Sequence, residues 1–165
     1  MPLLRHLVEQ ALACGLTPRV ALRPGWPDRA AALEGLAHTA VPVPDADQGM
    51  SAAIRAGAKG VTGALMILPA DMPDIDSAAL ATMLAAHAED PTAILRGASG
   101  ERPGHPVLIP ADLVPALAGL QGDCGARDVI AAHPGRLRLV PLPGQTALTD
   151  LDTPEDWARW QAGRG

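Results

Sequence analysis

Polar and apolar positions along the chain alternate between two rhythms. Leu3, Leu4, Leu7, Val8, Ala11 and Leu12 recur at helical spacing, and Gly15 supplies a stop, so residues 2–15 are expected to form an amphipathic helix. A short apolar stretch follows at 19–22, then an Ala-rich helical stretch at 28–37. A strand-like run at 39–43 is weakened, or pushed to a sheet edge, by Pro42 and Pro44. Residues 49–57 read as a helix. The run Ala64-Leu65-Met66-Ile67-Leu68 contains no polar residue, so a strand there is buried on both faces, as in a sheet covered by helices on each side. A long helix is predicted over 76–89, strands at 92–95 and 107–109 around a Gly-rich connection at 97–104, helices at 111–120 and 126–132, and a strand at 137–140. The last helix, 153–162, opens on Thr153-Pro154-Glu155-Asp156, with Thr153 as N-cap, Pro154 in the first turn and two acids facing the helix dipole. This alternation predicts an α/β fold, a three-layer Rossmann-like sandwich with a mostly parallel sheet, in a single domain over residues 1–165.

Composition narrows the function. A chain of 165 residues can bury a substantial core, and three Trp with no Phe or Tyr leave that core to Leu, Val, Ile, Ala and Met. So few aromatics make base-stacking platforms for single-stranded nucleic acid improbable, and a net charge of -5 argues against any nucleic acid polymer as partner. Lys59 is the only lysine, so this chain alone offers no lysine-lined phosphate site. Cys14 and Cys124 fit no zinc spacing and are expected to be idle or buried thiols. No apolar stretch is long enough to span a membrane and the first 15 residues do not read as a signal peptide, so no membrane is expected and the cytoplasm is the simplest compartment.

The candidate chemistry begins at the end of the apolar run. Asp71 follows Leu68-Pro69-Ala70, just past the carboxyl end of a central strand, where open α/β sheets hold ligands and metals; the alternative is a turn residue. Asp76 reads as the cap of the helix that follows. His6, His38, His87 and His133 have no special setting and read as structural or exposed.

Four stretches in this order resemble the MobA-like nucleotidyltransferases: Gly49-Met50-Ser51-Ala52-Ala53-Ile54-Arg55, Leu68-Pro69-Ala70-Asp71-Met72-Pro73, Arg102-Pro103-Gly104-His105-Pro106-Val107, and Thr149-Asp150-Leu151-Asp152-Thr153-Pro154-Glu155-Asp156. A fifth, Gly122-Asp123-Cys124-Gly125-Ala126-Arg127, sits where that family carries a GDxGAR loop. Within the family the chain most resembles the MocA-type enzymes, which transfer a nucleotide to molybdenum cofactor. The resemblance implies a nucleotide-diphospho-sugar-transferase-like fold and transfer of CMP or GMP, from CTP or GTP, to a molybdopterin-type or related small phosphorylated acceptor. It implies Mg²⁺ held by Asp71, Asp152 and Asp150, with Asp71 and Asp152 as the catalytic pair. Two acids holding a cation let an anionic nucleophile approach an anionic α-phosphate. It implies that Gly49, Ser51 and Arg55 border the nucleotide, and that Gly104, His105, Pro106, Asp123 and Arg127 meet the acceptor. Each has an ordinary counterpart: Ser51 as a helix cap, Asp152 as a turn residue, Arg127 as a surface residue.

The chain departs from the family at its start. The first strand and the glycine-rich Arg/Lys phosphate loop are missing, because residue 1 falls where the family's first helix begins. The missing strand would be central, so neighbouring strands would be left with unpaired backbone groups. Three expectations follow: a fragment of a longer enzyme, a shortened inactive relative acting at most as a nucleotide-binding or protein-interaction module, or a chain completed by a protein partner or by self-association through its incomplete sheet. An acid-metal phosphatase is less well supported, since the chain lacks a DxD pattern at its first strand.

Overall fold

The computed structural model describes residues 2–163. In chain order the elements are α1 (Leu3–Ala13), β1 (Arg19–Leu22), α2 (Pro27–Ala31), β2 (Thr39–Pro42), α3 (Met50–Ala58), β3 (Leu65–Ile67), α4 (Ser77–Glu89), β4 (Ile94–Ser99), β5 (Arg102–Ile109), α5 (Arg127–Ala132), β6 (Leu137–Pro141) and α6 (Pro154–Ala162). Short 3₁₀ turns occupy Ala46–Gln48, Val114–Gly119 and Pro134–Arg136.

The strands form two sheets. β1 and β2 pair in parallel, and β3, β5, β4 and β6 form a four-stranded sheet in that order. Within the larger sheet β5 runs against the other three, and β4 and β6 are parallel. The architecture is the expected α/β sandwich. Its layers can be read from the alternation of side chains: Leu65, Ile67, Ile94, Val107 and Ile109 pack with Ile54 of α3 and Val129 of α5 on one face. Met66, Leu95, Leu108 and Val140 pack on the other, with Leu80 and Met83 of α4 and Leu7 of α1. Both faces of β3 are therefore covered, which is what an uninterrupted apolar run requires.

β2 pairs with β1 alone, so the proline-bearing strand is an edge, as its sequence requires. Among the described residues no strand pairs with the second edge of β1 or of β3. α1 ties the two sheets together: Val8 packs with Val20 and Leu33 beside the small sheet, and Leu7 packs with Met66, Leu68 and Leu80 beside the large one. No helix among the described residues is long and apolar enough to cross a membrane.

Three expectations need correction. Residues 97–104 are not a connection but the core of a β-hairpin, β4–β5, turning at Gly100 and Glu101. The glycines that suggest a loop are there for close packing: a Cβ on Gly97 would lie 2.4 Å from the His105 carbonyl oxygen, and one on Gly104 would lie 1.9 Å from that of Ala147. The helix expected over 111–120 is a 3₁₀ turn, Val114–Gly119, with Pro115 in its first turn. α2 is half the expected length; a series of turns replaces its second half and leads to Gly35 at φ +79. The last helix matches its sequence closely: Thr153 accepts a hydrogen bond from the Asp156 amide and the Asp156 carboxylate accepts one from Thr153 N–H at 2.9 Å, a complete capping box.

Candidate active site

β3 delivers its last residue, Ile67, opposite Val107 of β5. Pro69 and Ala70 then carry the chain to Asp71 at the carboxyl edge of the sheet. The Asp71 carbonyl accepts a hydrogen bond from Leu151 N–H at 3.0 Å, which fixes the Asp150–Asp152 segment beside Asp71. Asp74, in the same loop, accepts a 2.9 Å hydrogen bond from the Trp160 indole of α6, so the loop is held at both ends by the chain's last segment.

His105 reaches the same edge by a different device. Arg96 of β4 stands opposite Val107, and Ala98 stands opposite Pro103. Only Gly97 lies between the β4 residues, whereas Gly104, His105 and Pro106 lie between the β5 residues. This bulge takes His105 out of the ladder. Its N–H instead donates to the Ala147 carbonyl at 2.9 Å, and the His105–Pro106 peptide is cis. Gly104 is required at this point because the 145–149 loop lies directly against its backbone.

Asp71 and His105 both carry a fully buried polar atom with no partner among the described residues, Oδ1 and Nδ1 respectively. Burial pushes the Asp71 carboxyl above the usual aspartate range, and the Asp152 and Asp150 charges add to the shift, while its own backbone amide opposes it. Burial pushes the His105 imidazole below 6.5, with Arg96 reinforcing the shift and Asp71 and Asp150 opposing it. His105 therefore faces carboxylates and a guanidinium at once.

These acids suit a divalent cation. Asp71 has an orphaned buried oxygen, and the other two carboxylates raise its pKa by like-charge repulsion that a cation would relieve. Among the described residues no three Asp, Glu, His or Cys side chains are grouped so as to hold a metal ion by themselves.

The other predicted residues form a second group. Gly49 has φ +94, and a Cβ there would lie 2.8 Å from the Asp123 carboxylate. That carboxylate accepts from Met50 N–H at 2.9 Å, at the start of α3. Ser51 is fully buried, donates its hydroxyl to the Gln121 carbonyl at 3.1 Å and its N–H to Gly122. Arg55 pairs with Asp45 at 2.9 Å and donates to the Leu120 carbonyl at 2.6 Å. The structure thus locks the Gly49–Arg55 and Gly122–Arg127 stretches to one another, and two expectations are corrected. The Ser51 hydroxyl is spent inside the protein instead of facing a ligand, and Gly49, not Ser51, caps α3. Arg55 and Asp123 are likewise engaged in holding the two stretches together.

Beside this lock, at the carboxyl ends of β1 and β2, lies an open cavity of about 360 Å³ lined by Arg23, Trp26, Arg29, Val43, Gly49 and Met50 among others. The Arg29 guanidinium lies over the Trp26 ring at 4.7 Å, and Trp26 is half exposed. Two residues escaped the sequence reading. Arg96 looks like a stray charge in an apolar strand, and Trp26 belongs to no motif; the only signal for Arg96 was its place inside Ala93-Ile94-Leu95-Arg96-Gly97-Ala98.

The chain is 32% identical over 163 residues to phosphoenolpyruvate guanylyltransferase of Streptosporangium roseum, covering 90% of this chain and 66% of that protein. It is 32% identical over 123 residues to phosphoenolpyruvate guanylyltransferase of Rubrobacter xylanophilus, covering 71% of this chain and 58% of that protein. The chain therefore spans less than two thirds of the length of these curated relatives. The fold matches the crystal structure of the Mycobacterium tuberculosis rv0371c homolog from Mycobacterium sp. strain JC1, with a TM-score of 0.79 at 23% identity, over 99% of this chain and 82% of that one. It also matches Rv0371C of M. tuberculosis H37Rv in complex with manganese, at TM-score 0.79 and 22% identity, over 95% and 84% of the two chains. The sequence profile of the MobA-like NTP transferase domain matches residues 1–137, most of the chain, and the chain belongs to that family.

Proposed function

We propose that the chain acts as a nucleotidyltransferase that moves GMP or CMP from GTP or CTP onto a molybdopterin-type or related small phosphorylated acceptor. The observation that supports this most directly is the buried, unpartnered Asp71 oxygen beside Asp150, Asp152 and His105 at the carboxyl edge of the sheet. An acceptor phosphate oxygen attacks the α-phosphorus, a new P–O bond forms, the α–β bond breaks, and pyrophosphate leaves. Asp71 and Asp152, with Asp150 adjoining, would hold the divalent cation, which neutralises charge on the phosphates. Mg²⁺ suits the chemistry, and manganese is the metal in one related structure. Gly104 and Pro106 shape the hairpin that presents His105. His105, whose buried Nδ1 has no partner among the described residues, would offer a hydrogen bond to acceptor oxygens. The Gly49–Arg55 stretch, fixed by Asp123, forms one wall of the cavity that would take the nucleotide. The relatives named phosphoenolpyruvate guanylyltransferase favour GTP, and a small acid over a pterin, as the substrates to assay first. The protein would work in the cytoplasm, where nucleoside triphosphates are made.

The test is thermal unfolding with MgCl₂ or MnCl₂ and with GTP or CTP at millimolar concentrations. Metal and nucleotide together should raise Tm by several degrees, since binding at about 100 times Kd adds about 2.7 kcal/mol. Asp71→Asn should abolish the rise. No shift for any metal–nucleotide pair would overturn the reading for this chain.

A second reading has its own support. The edges of β1 and β3 that no strand pairs with among the described residues favour a module that takes a strand from a protein partner or a second copy, binding nucleotide weakly and turning nothing over. It predicts concentration-dependent association in light scattering. A monomer that releases pyrophosphate from GTP or CTP would exclude it.

A further inference from the structure

The cavity at the carboxyl ends of β1 and β2 gathers side chains that the fold itself does not use. Among the described residues three large hydrophobic side chains are exposed, Trp26, Met50 and Leu139, and the first two both line this cavity. Exposed apolar surface concentrated at one place, unlike surface scattered singly, marks a binding site. Trp26 is also set apart from the other two indoles, since Trp157 and Trp160 are part-buried and meet edge to face on α6. Its backbone is fixed from both sides. Gly25, at φ +85, turns the chain after β1, and Pro27 opens α2 and holds the residue before it out of the helical region. The indole thus stands on a stiff turn, so little order is lost when a ligand is laid against it.

The charges in the cavity point the same way. Arg23 is paired with Asp47. Arg29 has no acid partner among the described residues, and its guanidinium rests over the Trp26 ring at 4.7 Å. Ser51 and Arg55, which the family resemblance puts beside the nucleotide, spend their side chains inside the protein, on Gln121, Leu120 and Asp45. Recognition of a base therefore falls to residues outside every motif. At about 360 Å³ the cavity has room for a nucleoside-sized group. An aromatic face beside a free guanidinium suits a flat ring that stacks and carries two acceptors on one edge. Guanine does so through O6 and N7, which the fork of Arg meets with two parallel bonds, whereas adenine and cytosine each place an amino donor on that edge. Stacking of a base on an aromatic ring outweighs an exposed cation–π contact, so Arg29 gives up the ring face and moves to the edge of the base.

We propose that Trp26 is the stacking platform for the nucleobase and that Arg29 selects guanine, so that this pair, and not Ser51 or Arg55, determines which nucleotide is taken. Naming the ligand as the nucleotide that is transferred rests on the nucleotidyl-transfer reading; the aromatic site itself does not.

The test is calorimetric titration of the whole chain with GTP, ATP and CTP, with and without MgCl₂, alongside indole emission. GTP should bind more tightly than ATP or CTP and quench the emission. Trp26→Leu should weaken GTP about tenfold and abolish the quench, while Trp26→Phe, which keeps a ring, should retain most of the affinity. Arg29→Gln should bring GTP down to the level of ATP. Leu139→Ser, at the exposed hydrophobic on β6 outside the cavity, should change none of these. Trp26, Arg29 and Leu139 are all exposed, so none of these substitutions touches the core. Unchanged GTP affinity in Trp26→Leu, or an equal loss in Trp26→Phe, would overturn the platform. Equal affinity of the parent chain for all three nucleotides would overturn the selection by Arg29. No binding of any nucleotide at millimolar concentration would overturn the platform and the transfer reading together. Trp26-dependent binding that needs no metal and survives Asp71→Asn would keep the platform and sink the transfer reading. Binding lost in Asp71→Asn but unchanged in Trp26→Leu would do the reverse.

Discussion

His105 stands among charges of both signs, and this makes it the most informative single residue. Burial and Arg96 hold its imidazole below 6.5, while Asp71 and Asp150 pull it upward. Removing each neighbour must therefore move it in opposite directions. In Arg96→Gln a repelling cation is lost, the protonated ring becomes less costly, and the pKa rises. In Asp71→Asn an attracting anion is lost and the pKa falls further. Titration of the ring Hε1 resonance by NMR reads both shifts, and a common direction in the two variants would show that His105 does not face these groups together. Asp71 gives a second prediction at this scale. Its carboxyl is raised by burial and by the two neighbouring acids, so ionising it at pH 7 costs stability. The sign follows: a raised folded value stabilises below the ordinary aspartate pKa and loses that stability as pH climbs through the raised one. At pH 7 and without metal, Asp71→Asn should therefore raise Tm, while destroying the response to metal and nucleotide. A lower Tm in metal-free buffer would mean that the carboxylate is needed for the fold.

At the scale of elements, legibility in the sequence tracked whether the information was local. The strand β3, half-buried in the structure, and the acid after it were readable because an unbroken apolar run and a strand-end carboxylate need no distant partner to be noticed. The start of α6 was readable for the same reason, with cap, proline and acids contiguous. Asp156 is held below the ordinary aspartate value of 3.8, chiefly by the Thr153 hydroxyl. The capping box is intact above that value and is lost as pH falls through the lowered one. Fraying of α6 should then appear below about pH 4 as a change in the emission of Trp157 and Trp160, whose rings meet edge to face with centroids 5.8 Å apart. Thr153→Ala should bring that change to neutral pH. The β4–β5 hairpin, in contrast, was hidden. Its glycines look like loop residues but serve contacts made elsewhere in the chain, Gly97 against His105 and Gly104 against Ala147. Ser51, Arg55 and Asp123 were noticed as polar motif residues, yet their partners lie across the fold, so sequence alone could not say that they lock two stretches together. Gly104→Ala tests the hidden element. With a Cβ 1.9 Å from a backbone oxygen, the 145–149 loop has to move, at a cost of about 2–3 kcal/mol. Because Leu151 anchors the same segment to Asp71, metal–nucleotide binding should weaken with stability, in a single unfolding series.

At the scale of the molecule, the division of the strands into two sheets controls both stability and completeness. β4 and β5 are hydrogen-bonded to strands on both sides and buried on both faces, with Ile94, Leu95 and Ile109 wholly inaccessible. β1 and β2 have one ladder between them, and the described residues leave their other edges without a strand. Among the described residues the small sheet is joined to the large one through side chains: α1 spans both, and Arg19 donates to the carbonyl of Gly57 at 2.7 Å at the end of α3. Helix packing without a continuous ladder is expected to open locally well below the free energy of global unfolding. Amides of 19–22 and 39–42 should therefore exchange with deuterium far faster than those of 94–99 and 105–109, the slow set tracking global unfolding. A strand added between β1 and β3, whether from a longer form of the chain or from a partner, would close the ladder and slow the first set to the rate of the second. Equal protection of both sets in the 165-residue chain would mean that α1 and α3 already couple the sheets into one cooperative unit. The cavity beside Trp26 would then be as rigid as the acidic edge, and the side of the site proposed for the nucleotide would need no further strand to be preformed.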